Sequence, residues 1–254
     1  MTIEVKNLSK KFKKNIVLEN VNMKLENSNI YGLNGRNGAG KSVFLKILCG
    51  LYKPTTGEIL FNGKSYNKNS LHIPNMRALI EKPSFFPELT GYENLLLLAK
   101  IQNKIGDKEI EDSLRKVNLY SEKDKKYSEY SLGMKQKLGI AQVLMENPDI
   151  IILDEPFNGI EEKSVEKISD ILKEEKKQGK LIIISTHIKE DLNNLSDKIY
   201  YFDNGQVCLN NQEKNWHEIC SIKFISVNQN KVSINFIYVF RIIHNSIYYN
   251  QRFS

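Results

Sequence analysis

The sequence has few cysteines and prolines, one tryptophan and no long apolar run. Cys49, Cys208 and Cys220 are its three cysteines. Their odd number and lack of metal-ligand spacing exclude a disulfide framework and favour reduced thiols. The longest apolar candidate, Val232–Ile243, is interrupted by serine, asparagine and arginine, so no membrane-spanning helix is expected. The chain opens on a strand-like alternation without a signal peptide, which predicts a cytoplasmic protein.

Lysine is the most frequent charged residue, but it is not interleaved with arginine and aromatic side chains. The net charge is +7 over 254 residues, and the hydrophobic fraction is 41%. This length and composition allow one sizeable core, or one core with a helical insertion. The positive charge would suit an anionic ligand or a membrane face. Because the lysines are scattered, we interpret them as a solvated surface and expect no nucleic-acid partner.

Short strand patterns alternate with helical patterns, which indicates an α/β architecture. Strands are predicted near Thr2–Lys6, Val17–Leu25, Ile30–Leu33, Glu58–Phe61, Arg77–Ile80, Ile150–Leu153, Leu181–Ser185, Ile199–Phe202 and Gln206–Leu209. Helices are predicted over Val43–Leu48 and Glu161–Lys177. Residues 85–147 read as a helical insertion, with Thr90 and Glu93 forming a capping box. A first domain is therefore predicted over residues 1–209, followed by a tail of unknown role over 210–254.

A phosphate-binding loop is predicted between the third strand and the first helix. The segment reads Gly-Arg-Asn-Gly-Ala-Gly-Lys-Ser and fits the P-loop pattern in its strand–loop–helix context. Glycines let backbone N–H groups turn toward phosphate oxygens, and the helix N-terminus adds positive potential. The predicted nucleotide-binding residues are Gly35, Arg36, Asn37, Gly38, Ala39, Gly40, Lys41 and Ser42. Lys41 also serves catalysis as a point charge on the phosphates, and Ser42 is a candidate Mg²⁺ ligand.

Two carboxylates follow the apolar strand Ile150–Leu153. Asp154 is predicted to hold Mg²⁺, and Glu155 to accept a proton from the attacking water. His187 follows the next strand and is predicted to donate a hydrogen bond beside the γ-phosphate, although a lone histidine is more often structural. Together with the P-loop, these residues predict an ATP hydrolase with ATP and Mg²⁺ as its ligands.

The segment Tyr130–Gln136 narrows the family. It reads Tyr-Ser-Leu-Gly-Met-Lys-Gln and resembles the signature motif of ABC ATPases, with Leu132 in place of the first glycine and Met134 in place of the usual glutamine. The resemblance implies a P-loop NTPase fold with a mostly parallel core sheet, an N-terminal antiparallel β subdomain and an inserted helical subdomain. It also implies that Ser131 and Gly133 bind nucleotide held by a second copy of the chain.

Further roles are implied by the same resemblance. Phe12 falls where the family stacks an aromatic ring on adenine, and Phe157–Glu161 matches the loop that contacts the partner subunit. Glu81 stands where the family usually has a glutamine that contacts Mg²⁺ and water, so it is assigned both a metal and a catalytic role. The glutamate and the Ser-Leu-Gly-Met signature resemble the exporter branch for bacitracin resistance and lantibiotic immunity. Phe85–Tyr92 is expected on the surface that touches the permease.

The leading interpretation is therefore a transporter ATPase that powers export through a separate integral-membrane permease, on whose inner face it sits as a peripheral protein. A soluble ABC-type ATPase acting on ribosomes or nucleic acid is the first alternative. Such proteins usually have two cassettes or long insertions, which the sequence lacks. An inactive binding module and a P-loop kinase are weaker alternatives, because the catalytic residues and the signature are both present.

Overall fold

The computed structural model describes residues 1–66 and 73–209. Within these residues the chain forms ten strands and six α-helices. The strands are β1 (Thr2–Phe12), β2 (Asn15–Glu26), β3 (Asn29–Asn34), β4 (Thr56–Phe61), β5 (Lys64–Ser65), β6 (Met76–Leu79), β7 (Ile150–Asp154), β8 (Leu181–Thr186), β9 (Lys198–Asp203) and β10 (Gln206–Leu209). The helices are α1 (Lys41–Leu48), α2 (Gly91–Gln102), α3 (Asp107–Lys116), α4 (Leu132–Leu144), α5 (Glu162–Lys177) and α6 (Lys189–Leu195). The predicted tail lies outside the described residues.

The strands form two sheets. An antiparallel sheet has the order β2-β1-β4-β5, and a larger sheet has the order β10-β9-β3-β8-β7-β6. In the larger sheet every neighbouring pair is parallel except β9 and β10. The predicted α/β fold, with a mostly parallel sheet, an antiparallel β subdomain and inserted helices, is confirmed.

The neighbouring strands β7 and β8 of the larger sheet are buried along their whole length. Each is an unbroken run of isoleucine and leucine that ends in polar residues, as expected of parallel strands covered on both faces. Burying one such side chain contributes about 1.5–3 kcal/mol. The apolar runs therefore anchor the middle of the sheet, and the polar residues that follow them are delivered to its carboxyl edge.

β1 is longer than its alternating pattern predicts. Its pairing with β2 shifts register between Val5 and Leu8, and Asn7 between them has a positive φ of 49°. This irregularity breaks the period of two that defines a strand in sequence, yet Leu8 remains in the core. The strand consequently continues to Phe12 rather than ending at Lys6.

The predicted capping box opens the helical insertion. The Glu93 amide donates to Thr90 Oγ1 over 3.1 Å, and the Thr90 amide donates to Glu93 Oε2 over 2.8 Å. Residues 85–90 form turns and irregular chain ahead of α2. They are held by the buried Asn94, which accepts from the Phe86 amide and donates back to the Phe86 carbonyl.

A buried carboxylate joins α3 of the insertion to α5 of the core. Glu175 accepts from Lys116 over 2.8 Å and also pairs with the buried Lys180. Burial by itself raises the pKa of Glu175, but the hydrogen bonds from the two lysines outweigh it and hold the pKa below the ordinary value. The ion pair between Glu175 and Lys116 therefore links the helical insertion to the core.

One helix had no sequence-based prediction. α6 has seven residues and begins directly after the loop that bears His187. Its short length leaves too few turns for a helical period to be visible. Among residues 1–66 and 73–209, no helix combines the length and apolar character needed to cross a bilayer.

Candidate active site

The P-loop connects β3 to α1 as predicted. Gly38 has a φ of 82° and Gly40 a φ of 105°, in the region that favours glycine. A Cβ on Gly40 would also lie 2.9 Å from the Val17 carbonyl oxygen, whereas a Cβ on Gly38 would meet open space. Gly40 is therefore required by both conformation and packing, and Gly38 by conformation alone. Arg36 and Asn37 are exposed on the same loop, while Ala39 is buried.

Lys41 has a buried side chain whose ammonium points back into the loop. It donates to the Gly35 carbonyl over 2.6 Å and to the Arg36 carbonyl over 3.4 Å. The same nitrogen lies 3.8 Å from Glu155 Oε1. The structure thus brings the loop cation and the candidate base together, with the cation satisfied by carbonyl groups that phosphate oxygens can replace.

Asp154 and Glu155 leave β7 side by side but have different surroundings. Asp154 is buried, and its Oδ1 accepts a hydrogen bond from the Ser185 hydroxyl on the paired strand β8. Glu155 has a positive φ of 48°, and its amide donates to the Ser185 carbonyl over 2.9 Å. Pairing with β8 therefore holds the backbone of Asp154 and the amide of Glu155, while the Glu155 side chain faces the P-loop.

His187 contacts the candidate base. Its Nδ1 lies 3.0 Å from Glu155 Oε2, and its side chain is 45% exposed. A hydrogen on Nδ1 donates to the carboxylate and leaves Nε2 for another partner. The two oxygens of Glu155 thus have different neighbours: His187 contacts Oε2, and Lys41 lies near Oε1.

Gln136 is a site residue that the sequence did not reveal. It is a buried amide on the otherwise apolar inner face of α4, and its Nε2 donates to the Glu155 backbone carbonyl over 3.2 Å. A lone glutamine among buried apolar neighbours is the available signal, because a buried amide needs a partner. The contact links the signature helix to the base in the same chain.

Ser131 and Gly133 lie at the start of α4. The Ser131 side chain caps the helix by accepting from the Met134 amide over 3.2 Å. A Cβ on Gly133 would lie 2.7 Å from the Gly159 carbonyl oxygen, so the loop after Glu155 packs against the signature. Within the described residues, no hydrogen bond joins Ser131 or Gly133 to the P-loop.

Glu81 follows β6, the neighbour of β7, and its side chain is 65% exposed. Its carboxylate forms an ion pair with Lys46 of α1 and is thereby held beside the P-loop helix.

Phe12 is partly exposed at the end of β1, with its ring edge-on to Tyr52 at 5.5 Å between centroids. The Lys10 ammonium lies 4.6 Å from the Phe12 centroid.

The donor chemistry at this edge fits Mg²⁺. Ser42 has a hydroxyl on the first turn of α1. Asp154 accepts the hydrogen bond from Ser185 with Oδ1, and its second oxygen, Oδ2, is the candidate metal ligand. Hard oxygen ligands of this kind, completed by substrate phosphates, are those that Mg²⁺ prefers. The Ser185 contact orients the carboxylate, which is the usual role of a neighbour behind a metal ligand.

A family model described as ABC transporter matches residues 18–158. The chain belongs to the ABC transporter ATP-binding proteins. This ABC ATPase is 43% identical over 205 residues to the ATP-binding protein YybJ of Bacillus subtilis, covering 81% of this chain and 94% of that protein. It is 38% identical over 208 residues to the bacitracin transport ATP-binding protein BcrA of Enterococcus faecalis, covering 81% and 67% of the two chains. It is 35% identical over 207 residues to the lantibiotic transport ATP-binding protein SrtF of Streptococcus pyogenes, covering 82% and 89%.

Solved structures agree with the family. The ABC ATPase resembles a dimeric, post-hydrolysis ATP-binding cassette, MJ0796 bound to ADP and Pi, with a TM-score of 0.76, 25% identity and coverage of 84% of this chain and 100% of that one. It also resembles an ATP-binding subunit of an ABC transporter, with a TM-score of 0.74, 28% identity and coverage of 94% and 98%. The prediction of an ATP-binding, ATP-hydrolysing protein is confirmed.

Proposed function

We propose that this ABC ATPase powers export of a peptide antibiotic through a separate permease and so confers resistance or self-immunity. The observation that supports it most is the similarity to the bacitracin and lantibiotic transport proteins, at 38% and 35% identity. In this proposal the subunit lies on the cytoplasmic face of the membrane. It works as a pair of identical chains, as in the dimeric cassettes that it resembles.

The chemistry begins with Lys41. Its ammonium donates to the Gly35 and Arg36 carbonyls, and one ammonium cannot keep these bonds and bind phosphate oxygens equally well. When ATP enters, Lys41 turns to the β- and γ-phosphates, while the loop N–H groups and the N-terminus of α1 favour the remaining charge. The same movement takes the ammonium away from Glu155 Oε1, from which it lies 3.8 Å in the nucleotide-free chain.

Glu155 then acts as the general base. It accepts a proton from the water whose oxygen attacks the γ-phosphorus, and the bond to the bridging oxygen breaks to give ADP and phosphate. His187 holds Oε2 of Glu155 at 3.0 Å and orients the carboxylate. Ser42, Asp154 and Glu81 are the residues that would hold Mg²⁺, which when bound would neutralise charge on the phosphates. In the pair, Ser131 and Gly133 of each chain bind the nucleotide of the other, and Phe12 stacks on the adenine.

The segment Phe85–Tyr92 is proposed as the permease-facing surface. Phe85 packs edge-on to Tyr127 at 5.3 Å between centroids, whereas the neighbouring Phe86 is exposed. The buried Asn94 holds the Phe86 backbone in both directions. A large exposed ring on a rigid backbone is a suitable anchor for a protein interface.

Lys41→Ala tests the proposal. The gene is expressed together with a candidate permease gene in a strain sensitive to bacitracin and lantibiotics, and the inhibitory concentration is measured. We expect resistance with the natural chain, loss of resistance and of ATP turnover with Lys41→Ala, and no change with Lys53→Ala, which removes an exposed lysine. Full turnover in purified Lys41→Ala protein would refute the site assignment. Turnover without resistance to either class would refute peptide-antibiotic export.

A further inference from the structure

The helix that follows the P-loop bears a second lysine directed at the sheet edge. Lys46 lies five residues after Lys41, about 7.5 Å farther along the axis of α1. Its ammonium pairs with the Glu81 carboxylate and lies 5.6 Å from the centroid of the Tyr52 ring. Lys46 and Glu81 therefore form an ion pair between α1 and the chain that follows β6.

The register of the sheet gives Glu81 a position equivalent to that of the base. Leu79 of β6 pairs with Leu153 of β7 in parallel, and a glutamate follows each leucine by two residues. Both glutamates therefore leave the sheet at the same edge. Lys41 faces Glu155 at 3.8 Å, and Lys46 faces Glu81. Each glutamate at this edge thus has its own lysine from α1.

The backbone of Glu81 is also constrained. Its φ of 66° lies in the left-handed region, which a residue with a side chain adopts where its surroundings hold it. Glu81 is largely exposed, whereas the Lys46 side chain is 19% exposed and confined by Tyr52. Lys46 is therefore the less exposed partner of the ion pair, and its position determines where the Glu81 carboxylate rests.

We propose that Lys46 is a positioning residue that competes with the metal for the Glu81 carboxylate. The inference rests on the proposed function, in which Glu81 contacts Mg²⁺ bound with ATP. In the nucleotide-free chain, Lys46 retains Glu81. The carboxylate leaves Lys46 when it contacts the metal, and the ammonium becomes available to the other anionic groups of the site. A glutamine side chain is uncharged and cannot form this ion pair, so the competition depends on the glutamate of this chain.

The test measures binding of a fluorescent ATP analogue in Mg²⁺ and in EDTA, and takes the ratio of the two dissociation constants. Removing the competitor frees Glu81 for the metal, so Lys46→Met is expected to increase the Mg²⁺-dependent gain in affinity by about threefold. In a Glu81→Ala background, the same substitution is expected to leave the gain unchanged. Lys53→Met, which removes an exposed lysine elsewhere, controls for the loss of one positive charge.

The outcomes separate the inference from the proposed function. Equal effects of Lys46→Met with and without Glu81 would overturn the competition, even if ATP binds and is hydrolysed normally. A Mg²⁺-dependent gain that Glu81→Ala leaves at the natural value would also overturn it, because Glu81 would then not contact the metal. If the analogue binds Lys41→Ala as tightly as it binds the natural chain, the assignment of the ATP site itself is refuted.

Discussion

Gln136 donates from its side-chain amide to the backbone carbonyl of Glu155 over 3.2 Å. The donor lies on the helix that the signature opens, and the acceptor is the backbone of the base. Because Glu155 has a positive φ, its carbonyl direction is not fixed by ordinary strand pairing. This hydrogen bond therefore holds the backbone of Glu155, the proposed catalytic base, from the signature side of the same chain.

Gln136→Leu should slow hydrolysis while sparing ATP binding. The substitution keeps the bulk of the side chain but leaves the partly buried Glu155 carbonyl without its donor. We expect kcat to fall by about tenfold, equivalent to about 1.4 kcal/mol, with the dissociation constant of ATP nearly unchanged. Gln142→Leu, on the same helix and half-buried, is the matched control. A natural kcat in Gln136→Leu would show that the contact does not position Glu155.

Glu155→Gln should trap a pair of chains. The amide cannot accept the proton from water, so ATP stays intact between two subunits whose Ser131 and Gly133 bind the opposite nucleotide. We expect the variant to elute as a dimer in ATP and Mg²⁺ and as a monomer in their absence. The double variant Lys41→Ala with Glu155→Gln should remain monomeric, because its phosphates lose their cation. A monomeric Glu155→Gln protein in saturating ATP would exclude shared sites.

Phe86→Asp should weaken assembly with the permease without unfolding the subunit. Phe86 is 60% exposed, so a charge there costs the isolated chain little. Ile101→Asp, which places the same charge at an exposed apolar position on α2, is the control and should leave assembly intact. Co-purification with the permease measures assembly, and analogue binding measures the site. If Phe86→Asp lowers the melting temperature by many degrees, the ring is part of the core and not of an interface.

The ion pairs of Glu175 predict that the stability of the fold decreases in acid. Its pKa is lower in the folded chain than the ordinary value of 4.5, so its contribution to stability is present above that value and is lost as pH falls through the folded pKa. Glu175→Gln should cost about 3 kcal/mol at neutral pH and should flatten the loss of stability below about pH 4.5. Denaturant unfolding across pH measures both effects. Glu174→Gln, at an exposed neighbouring position, should change neither.

The P-loop residues and the two carboxylates after β7 could be predicted because each is recognised from the residues next to it in the sequence. Lys41 and Ser42 stand at fixed places in a glycine-rich loop, and Asp154 and Glu155 end an apolar strand, so local pattern defines them. Gln136 was missed because its partner is 19 residues away in the chain. Such a contact is created only when α4 packs beside β7.

The same reason explains the other differences. Lys46 reads in sequence as an ordinary solvated lysine in the last turn of α1, and only the folded chain brings it to Glu81, 35 residues later. The fold class followed from alternating strands and helices. The extension of β1 did not, because the irregularity at Asn7 hides the alternation.

The sheet order also determines how the working distances arise. β8 lies between β3, which leads into the P-loop, and β7, which ends one residue before the proposed base Glu155. Two interstrand spacings separate the backbones of β3 and β7, about 10 Å in all. The distance between the strand that leads into the P-loop and the strand that precedes Glu155 is therefore set by backbone hydrogen bonding. It is already present in a single chain. A second subunit has no need to create this distance when the chains pair.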